Sequence, residues 1–172
     1  MIRAAWAALL VAVLAGCATT PPPGADWLSG RLQVKVDATA EAPSRSVASA
    51  FELRGDGEEG ELRLNSPLGT RVATAIWAPG LARLTTSEGE RRYANLDELS
   101  RDALGETLPL RALPAWLRGQ PWAGAESRST TAGFEQFGWQ ISLLRFAGEG
   151  LLEASRNTPP AVTVRARLEK PE

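Results

Sequence analysis

The stretch Glu61-Leu62-Arg63-Leu64-Asn65-Ser66-Pro67-Leu68-Gly69-Thr70-Arg71-Val72-Ala73-Thr74-Ala75-Ile76-Trp77 holds two alternating segments around a turn. Leucine and polar side chains take turns over residues 61–65, the period-2 signature of a strand with one buried face. Ser66, Pro67 and Gly69 then occupy positions i, i+1 and i+3 of a type I turn, each a residue type that its position favours. Residues 71–77 resume as a second strand, so the stretch reads as an antiparallel hairpin. Leu68 falls at the tip, where a large apolar side chain meets water.

The same pattern runs outward in both directions. Leu28, Gly30, Leu32, Val34 and Val36 share one face of a strand, with Ser29, Arg31, Gln33, Lys35 and Asp37 on the other. Val47 to Arg54 is a second strand with Phe51 and Leu53 on its apolar face, and the glycine-rich acidic run 55–60 links it to Glu61. Pro79-Gly80 turns the chain into a strand over 81–86, and Ser87-Glu88-Gly89 into Arg91 to Ala94. Strands resume over 138–146, 151–155 and 161–168, where Val162, Val164, Ala166 and Leu168 alternate with Thr163, Arg165 and Arg167. About nine short strands joined by turn chemistry predict an antiparallel meander.

Between the sixth and seventh strands the period changes. Asn95 with Glu98 three residues on forms a capping-box-like pair, and Leu96, Leu99, Ala103 and Leu104 make a helical stripe that stops at Gly105. A second short helical piece lies within 109–118, punctuated by Pro109 and Pro114, ended by Gly119 and carrying Leu110, Leu113, Trp116 and Leu117. Residues 120–133 read as a loop. The fold class expected is mainly β with a few short helices. A strongly curved sheet would wrap its apolar face into a cavity that the helices plug. A fully packed core explains the same alternation.

The ends of the chain carry different information. Arg3, the apolar run Ala4 to Leu14 and the small residues before Cys17 form a secretory signal too short to span a bilayer as a helix. A cysteine directly after Leu14-Ala15-Gly16 resembles the bacterial lipobox, which implies cleavage before Cys17 and acylation of that residue. The expected division is a signal over 1–16, a lipidated tether over 17–26 rich in proline, and one domain over 27–172. Ala18 stands where an aspartate commonly retains Gram-negative lipoproteins at the inner membrane, so this resemblance implies sorting to the outer membrane. Cys17 is the single cysteine, so no internal disulfide can form.

Composition excludes much chemistry. The chain has no histidine, which removes Ser-His-Asp and Cys-His arrangements and ordinary zinc sites. No phosphate-binding or dinucleotide-binding glycine motif is present, and the formal net charge of −1, with no basic run, gives no nucleic-acid footprint. Asp56, Glu58, Glu59 and Glu61 form the densest acidic cluster, but three glycines place it in a solvated hairpin connection, so neither an enzyme nor a cofactor is expected. Tryptophan is more informative: Trp27, Trp77, Trp116, Trp122 and Trp139 follow the signal, against one tyrosine. Such rings suit a core or the wall of an apolar pocket, and Trp116 is the preferred pocket-rim residue.

Taken together, several segments resemble the LolB family of outer-membrane lipoprotein receptors. They are the lipobox at Cys17, the strand from Trp27 to Val36, the stretch from Glu61 to Thr70, the capped helix after Asn95, and Leu108-Pro109-Leu110 through Trp116-Leu117-Arg118-Gly119-Gln120-Pro121. The resemblance implies a half-open antiparallel β-barrel closed by helices around a cavity for acyl chains. It implies a monomer that receives acylated lipoproteins from a LolA-type periplasmic carrier and releases them into the inner leaflet of the outer membrane. Pro67, Leu68 and Gly69 would form the membrane-insertion loop. Leu32, Val34, Phe51, Leu62, Leu64, Ile76, Leu113, Trp116, Leu117, Trp139 and Ile141 are the acyl-cavity candidates. The soluble carrier, expected to share the fold, is set apart by Cys17, because a carrier must leave the membrane. A structural or assembly lipoprotein with a packed core is the other reading.

Overall fold

A computed structural model describes residues 27–169 of the 172-residue chain, so the signal, the tether and Cys17 lie outside the described residues. The hairpin at 61–77 sits within a longer meander: β1 (Leu28–Val36), β2 (Arg45–Gly55), β3 (Gly60–Asn65), β4 (Arg71–Ala78), β5 (Leu81–Thr86) and β6 (Gly89–Tyr93). The helical insert follows as α1 (Leu96–Leu104) and α2 (Leu113–Trp116). The chain then forms β7 (Ser127–Ser129), β8 (Gly133–Gln136), β9 (Trp139–Arg145), the single turn α3 (Phe146–Glu149), β10 (Leu151–Arg156) and β11 (Val162–Leu168). All eleven strands belong to one antiparallel sheet in the order β6-β5-β4-β3-β2-β1-β11-β10-β9-β8-β7. The sheet is not closed between β6 and β7, which makes it an open barrel.

Two strands and one helix depart from the expectation. Residues 120–133 contain β7 and the start of β8, which pair as an edge hairpin. Their pattern is hard to read because Ser127-Arg128-Ser129 is exposed throughout, while β8 turns Phe134 and the polar Gln136 inward. The strand expected to run to Phe146 ends at Arg145, where Gly148 and a left-handed Gly150 (φ 64°) allow one helical turn.

The sheet curls because one face is apolar from β1 to β5 and from β8 to β11, and the helical insert lies against that face. Phe51, Leu53, Leu62, Trp77 and Ala82 pack with Leu99, Leu113 and Leu117 at one end. Val34, Trp139, Ile141, Leu152 and Val164 pack with Leu108, Ala112 and Trp116 at the other. The insert starts where Asn95 Oδ1 accepts from the Glu98 N–H at 2.9 Å, and Glu98 Oε2 accepts from the Ala94 N–H at 2.9 Å. At its other end Gly105, at φ 75°, donates its N–H to Arg101 O at 2.9 Å. The buried Ser100 then joins helix to loop, its Oγ donating to Asp97 O at 3.1 Å and accepting from the Leu108 N–H at 3.0 Å.

The acidic run between β2 and β3 is a structural loop. Asp56 Oδ1 accepts the N–H groups of Glu58 and Glu59 at 2.8 and 3.0 Å, and Asp56 O accepts from Trp77 Nε1 at 3.0 Å. Gly57 is required here by close approach: a Cβ would stand 2.4 Å from Trp122 Nε1. Glu61 points to the outer face, where Arg54 Nη2 donates to it at 2.7 Å and Arg63 Nε closes the second side. Desolvation works to raise its pKa, but the bonds from Arg63 and Arg54 outweigh it and hold the carboxyl below its ordinary value. This ion cluster therefore stabilises the fold above the ordinary glutamate pKa, and the contribution is lost as pH falls through the lowered value. Glu61→Gln is expected to cost about 1 kcal/mol at neutral pH, discounted for the exposure of both arginines, with the loss shrinking in acid. Urea unfolding at neutral pH and at pH near 3 checks the sign.

Candidate functional site: an apolar cavity beside a protruding turn

The helical insert covers the concave face without filling it. A cavity of about 300 Å³ remains between the insert and β1–β5, extending to Trp139, Leu152 and Val164. Its wall is almost wholly apolar. The polar residues on it are Ser49, Thr86 and Ser100, and no ionisable side chain lines it among the described residues. Ser49 Oγ donates to Asn65 O at 2.6 Å and Ser100 Oγ to Asp97 O, so neither hydroxyl has a proton left to offer a ligand. Such a surface selects by shape and hydrophobicity alone.

Of the residues expected to line a cavity, Leu32, Val34, Leu62, Leu64, Leu113, Trp116 and Trp139 do face it. Phe51, Leu117 and Ile141 are packed into the core behind the wall and do not line it. Ile76 is a correction: it lies on the opposite face of β4, 40% exposed, opposite Glu61 and Arg83 on the flanking strands. Alternation from Ala73, Ala75 and Trp77 assigns it outward, and its apolar character alone misplaces it. Trp116, expected at a rim, is 3% exposed and forms an inner wall, edge-on to Phe134 and 6.1 Å from Trp139 between ring centroids.

Val47, in phase with Phe51 and Leu53, and Val72, which strict alternation does not single out, also line the cavity, and both remain open to solvent, at 41% and 46% exposure. Val72 is the extra residue of a β-bulge: Leu64 pairs with Ala73 but Asn65 pairs with Arg71, so the side chain between them is re-aimed. These valines mark the mouth, at the end of the sheet where the Ser66–Thr70 turn emerges. The turn is closed by the Gly69 N–H on Ser66 O at 2.9 Å and the Ser66 N–H on Thr70 O at 2.8 Å, with Gly69 at φ 82°. Leu68 at its tip is 93% exposed and four residues from Val72. An apolar mouth and an apolar tip are thus adjacent in the chain and share one end of the barrel.

Two polar clusters hold the walls. Tyr93 Oη donates to Asp102 Oδ2 at 2.6 Å and Arg91 Nη1 to the same oxygen at 3.0 Å, tying α1 to the edge strand β6. The Tyr93 hydroxyl first, then Arg91, lowers the Asp102 pKa, so the tie is ionic at neutral pH. At the far end the buried Gln136 accepts from Trp116 Nε1 at 2.8 Å and from the Trp122 N–H at 3.0 Å, and donates to Trp122 O and Ala125 O. Gln136 went unrecognised because a lone glutamine in a short alternating segment looks like an outward position; only its register opposite Trp139 reveals the inward side chain.

A curved open sheet, a helical insert and an apolar cavity between them define the class: an open-barrel protein with an apolar interior space. The chain belongs to the LolB family: the family described as outer membrane lipoprotein LolB matches residues 27–167. Similar curated proteins carry the same description. The outer-membrane lipoprotein LolB of Bordetella pertussis is 38% identical over 169 residues, covering 88% of this chain and 83% of that protein. That of Chromobacterium violaceum is 34% identical over 160 residues, covering 86% and 85%.

Replacing Gln136 by leucine strands the buried Trp116 indole N–H and removes the partner of three half-buried backbone groups. The expected cost is about 2 kcal/mol or more, read as a lower urea midpoint at unchanged slope.

Proposed function

We propose that the chain is anchored in the outer membrane through an acylated Cys17 and takes the acyl chains of lipoproteins into the apolar cavity. It receives them from a LolA-type periplasmic carrier and passes them to the inner leaflet of that membrane. The observation that carries the reading is the juxtaposition of an apolar cavity mouth with the exposed Leu68 turn. Family membership supports the lipoprotein-localisation role in outline.

The energetics are consistent with passive transfer. Each methylene removed from water is worth about 0.8 kcal/mol, so acylated cargo needs continuous shielding. No nucleotide-binding motif is present in the sequence, so transfer runs down a ladder of affinities from carrier to receptor to bilayer. A cavity of about 300 Å³ is at the small end of the roughly 300–1,000 Å³ range of ligand sites. It shelters part of a multiply acylated anchor, and fuller acceptance requires α1 or the 105–112 segment to move outward.

Leu68→Glu leaves both core clusters untouched and is expected to retain folding and cargo acceptance while losing most delivery into liposomes. Unimpaired delivery would remove the role assigned to the turn. Ala73→Trp places a ring in the cavity near its mouth and is expected to weaken binding of a fluorescent fatty-acid analogue by about tenfold or more. Photocrosslinking from position 73 to acylated, but not unacylated, cargo distinguishes this reading from that of a lipoprotein that holds no acyl chain.

A further inference from the structure

The turn that carries Leu68 also forms one wall of a groove on the outer face of the sheet, separate from the cavity. The groove has a volume of about 510 Å³. Ala48 and Ala50 form its floor, Pro67 and Gly69 one side, and Arg31, Arg165 and Arg167 the other. Strand register produces this grouping. Ala50 lies opposite Arg31, which lies opposite Arg167, and Ala48 opposite Gln33, which lies opposite Arg165. Residues level across neighbouring strands share a face, so three guanidiniums stand together over a floor of small side chains.

Nearby carboxylates satisfy only part of this charge. Arg165 Nε meets Glu153 Oε1 at 2.6 Å and Arg167 Nη2 meets Glu149 Oε2 at 3.1 Å. Arg145, on β9, leans on the same two glutamates at 3.5 and 3.9 Å. Glu169 accepts from Ser29 Oγ at 3.1 Å on the next rung. Arg31 makes no ion pair among the described residues. The basic character is local, since the chain as a whole has a formal net charge of −1.

The entry point of the chain lies on this same face. The Trp27 ring is covered by the guanidiniums of Arg63 at 4.2 Å and Arg54 at 4.9 Å, both outer-face residues of β3 and β2. From Cys17 to Trp27 the tether can reach at most roughly 35 Å when fully extended. A lipid on Cys17 would therefore be within reach of a bilayer that also met the Leu68 tip and the arginine groove.

We propose that this groove seats the phosphates of phospholipid headgroups, so that the outer face of β2, β1 and β11 lies against the bilayer while Leu68 enters below it. The proposal rests on the reading of the Leu68 turn as the membrane-touching element. Guanidinium groups match phosphate oxygens bidentately, and the alanine floor leaves room for them. An apolar tip beside a cationic groove matches the depth profile of a lipid, with hydrocarbon beneath and phosphate above.

The test is cosedimentation of the chain from Ala18 onward, which contains every described residue, with vesicles of phosphatidylcholine alone or with about one-third phosphatidylglycerol. Binding is expected to favour the anionic vesicles and to fall as salt is raised. Combined replacement Arg31→Gln, Arg165→Gln and Arg167→Gln is expected to weaken that binding at least about tenfold, with the corresponding lysine replacements retaining most of it. Equal binding by the glutamine variant and the unaltered chain overturns the proposal. So does a loss shared in full by the lysine variant, because it then follows from packing and not from charge. Leu68→Glu is assayed alongside for vesicle binding and cargo delivery. If it loses delivery while the glutamine variant binds vesicles normally, the groove proposal alone fails. If it retains both, the reading of the turn fails and takes the groove's role with it.

Discussion

The packing of residues 96–117 across the concave face of the sheet is the contact on which the rest of the structure depends. The apolar face shared by β1–β5 and β8–β11 exposes far more hydrophobic surface than water tolerates, so that face must be covered. Closing the barrel would cover it, but the β6 and β7 edges do not pair. The insert does the covering instead, with Leu113 and Leu117 in one core cluster and Ala112 and Trp116 in the other. One short segment thus joins two halves of a sheet that would otherwise be held together by strand pairing alone. It is also too short to fill the space it covers, and the cavity is what remains.

An apolar cavity persists only if its walls resist collapse. Here the resistance is polar and peripheral. Gln136 fixes the Trp116 ring and the 122–125 loop at one end, and the Asp102 tie fixes α1 to β6 at the other. Between them, inward of Val72 at the mouth, the wall residues on β4 are the small Ala73 and Ala75, which leave the gap open. The arrangement leaves α1 held to the sheet mainly by solvent-exposed polar contacts and a few leucines. A lid of that kind yields more readily than a core helix, as the proposed passage of a bulky anchor would require.

Much of this was legible in the sequence because the decisive signals are local. Alternation locates nine of the strands to within two residues at either end, and Asn95, Glu98 and Gly105 bound α1. The protruding leucine could be placed because Ser66-Pro67-Leu68-Gly69 specifies its own turn. What stayed hidden depends on register and long-range packing. The bulge that turns Val72 into the cavity is a property of the β3–β4 pairing, not of either strand. Ile76 is misplaced by sequence reasoning because hydrophobicity does not state a face, and Phe51, Leu117 and Ile141 because a wall residue and one packed behind it have the same pattern. Gln136 and the 127–136 hairpin needed the partner strand before their direction could be known.

The proposed division of work between lipid, turn and cavity follows from magnitudes. Burying one leucine contributes only about 1.5–3 kcal/mol, so Leu68 cannot hold the protein at a membrane. A covalent lipid can, but an anchor on a ten-residue tether leaves orientation free. A receptor that releases cargo downhill needs its cavity mouth presented to the bilayer, and its cavity must bind less tightly than the bilayer does. A small cavity that shelters only part of an acyl anchor meets the second requirement, since the unsheltered methylenes gain most by leaving. A weak apolar contact at the mouth, backed by charge on the adjoining outer face, meets the first without making departure from any one lipid costly.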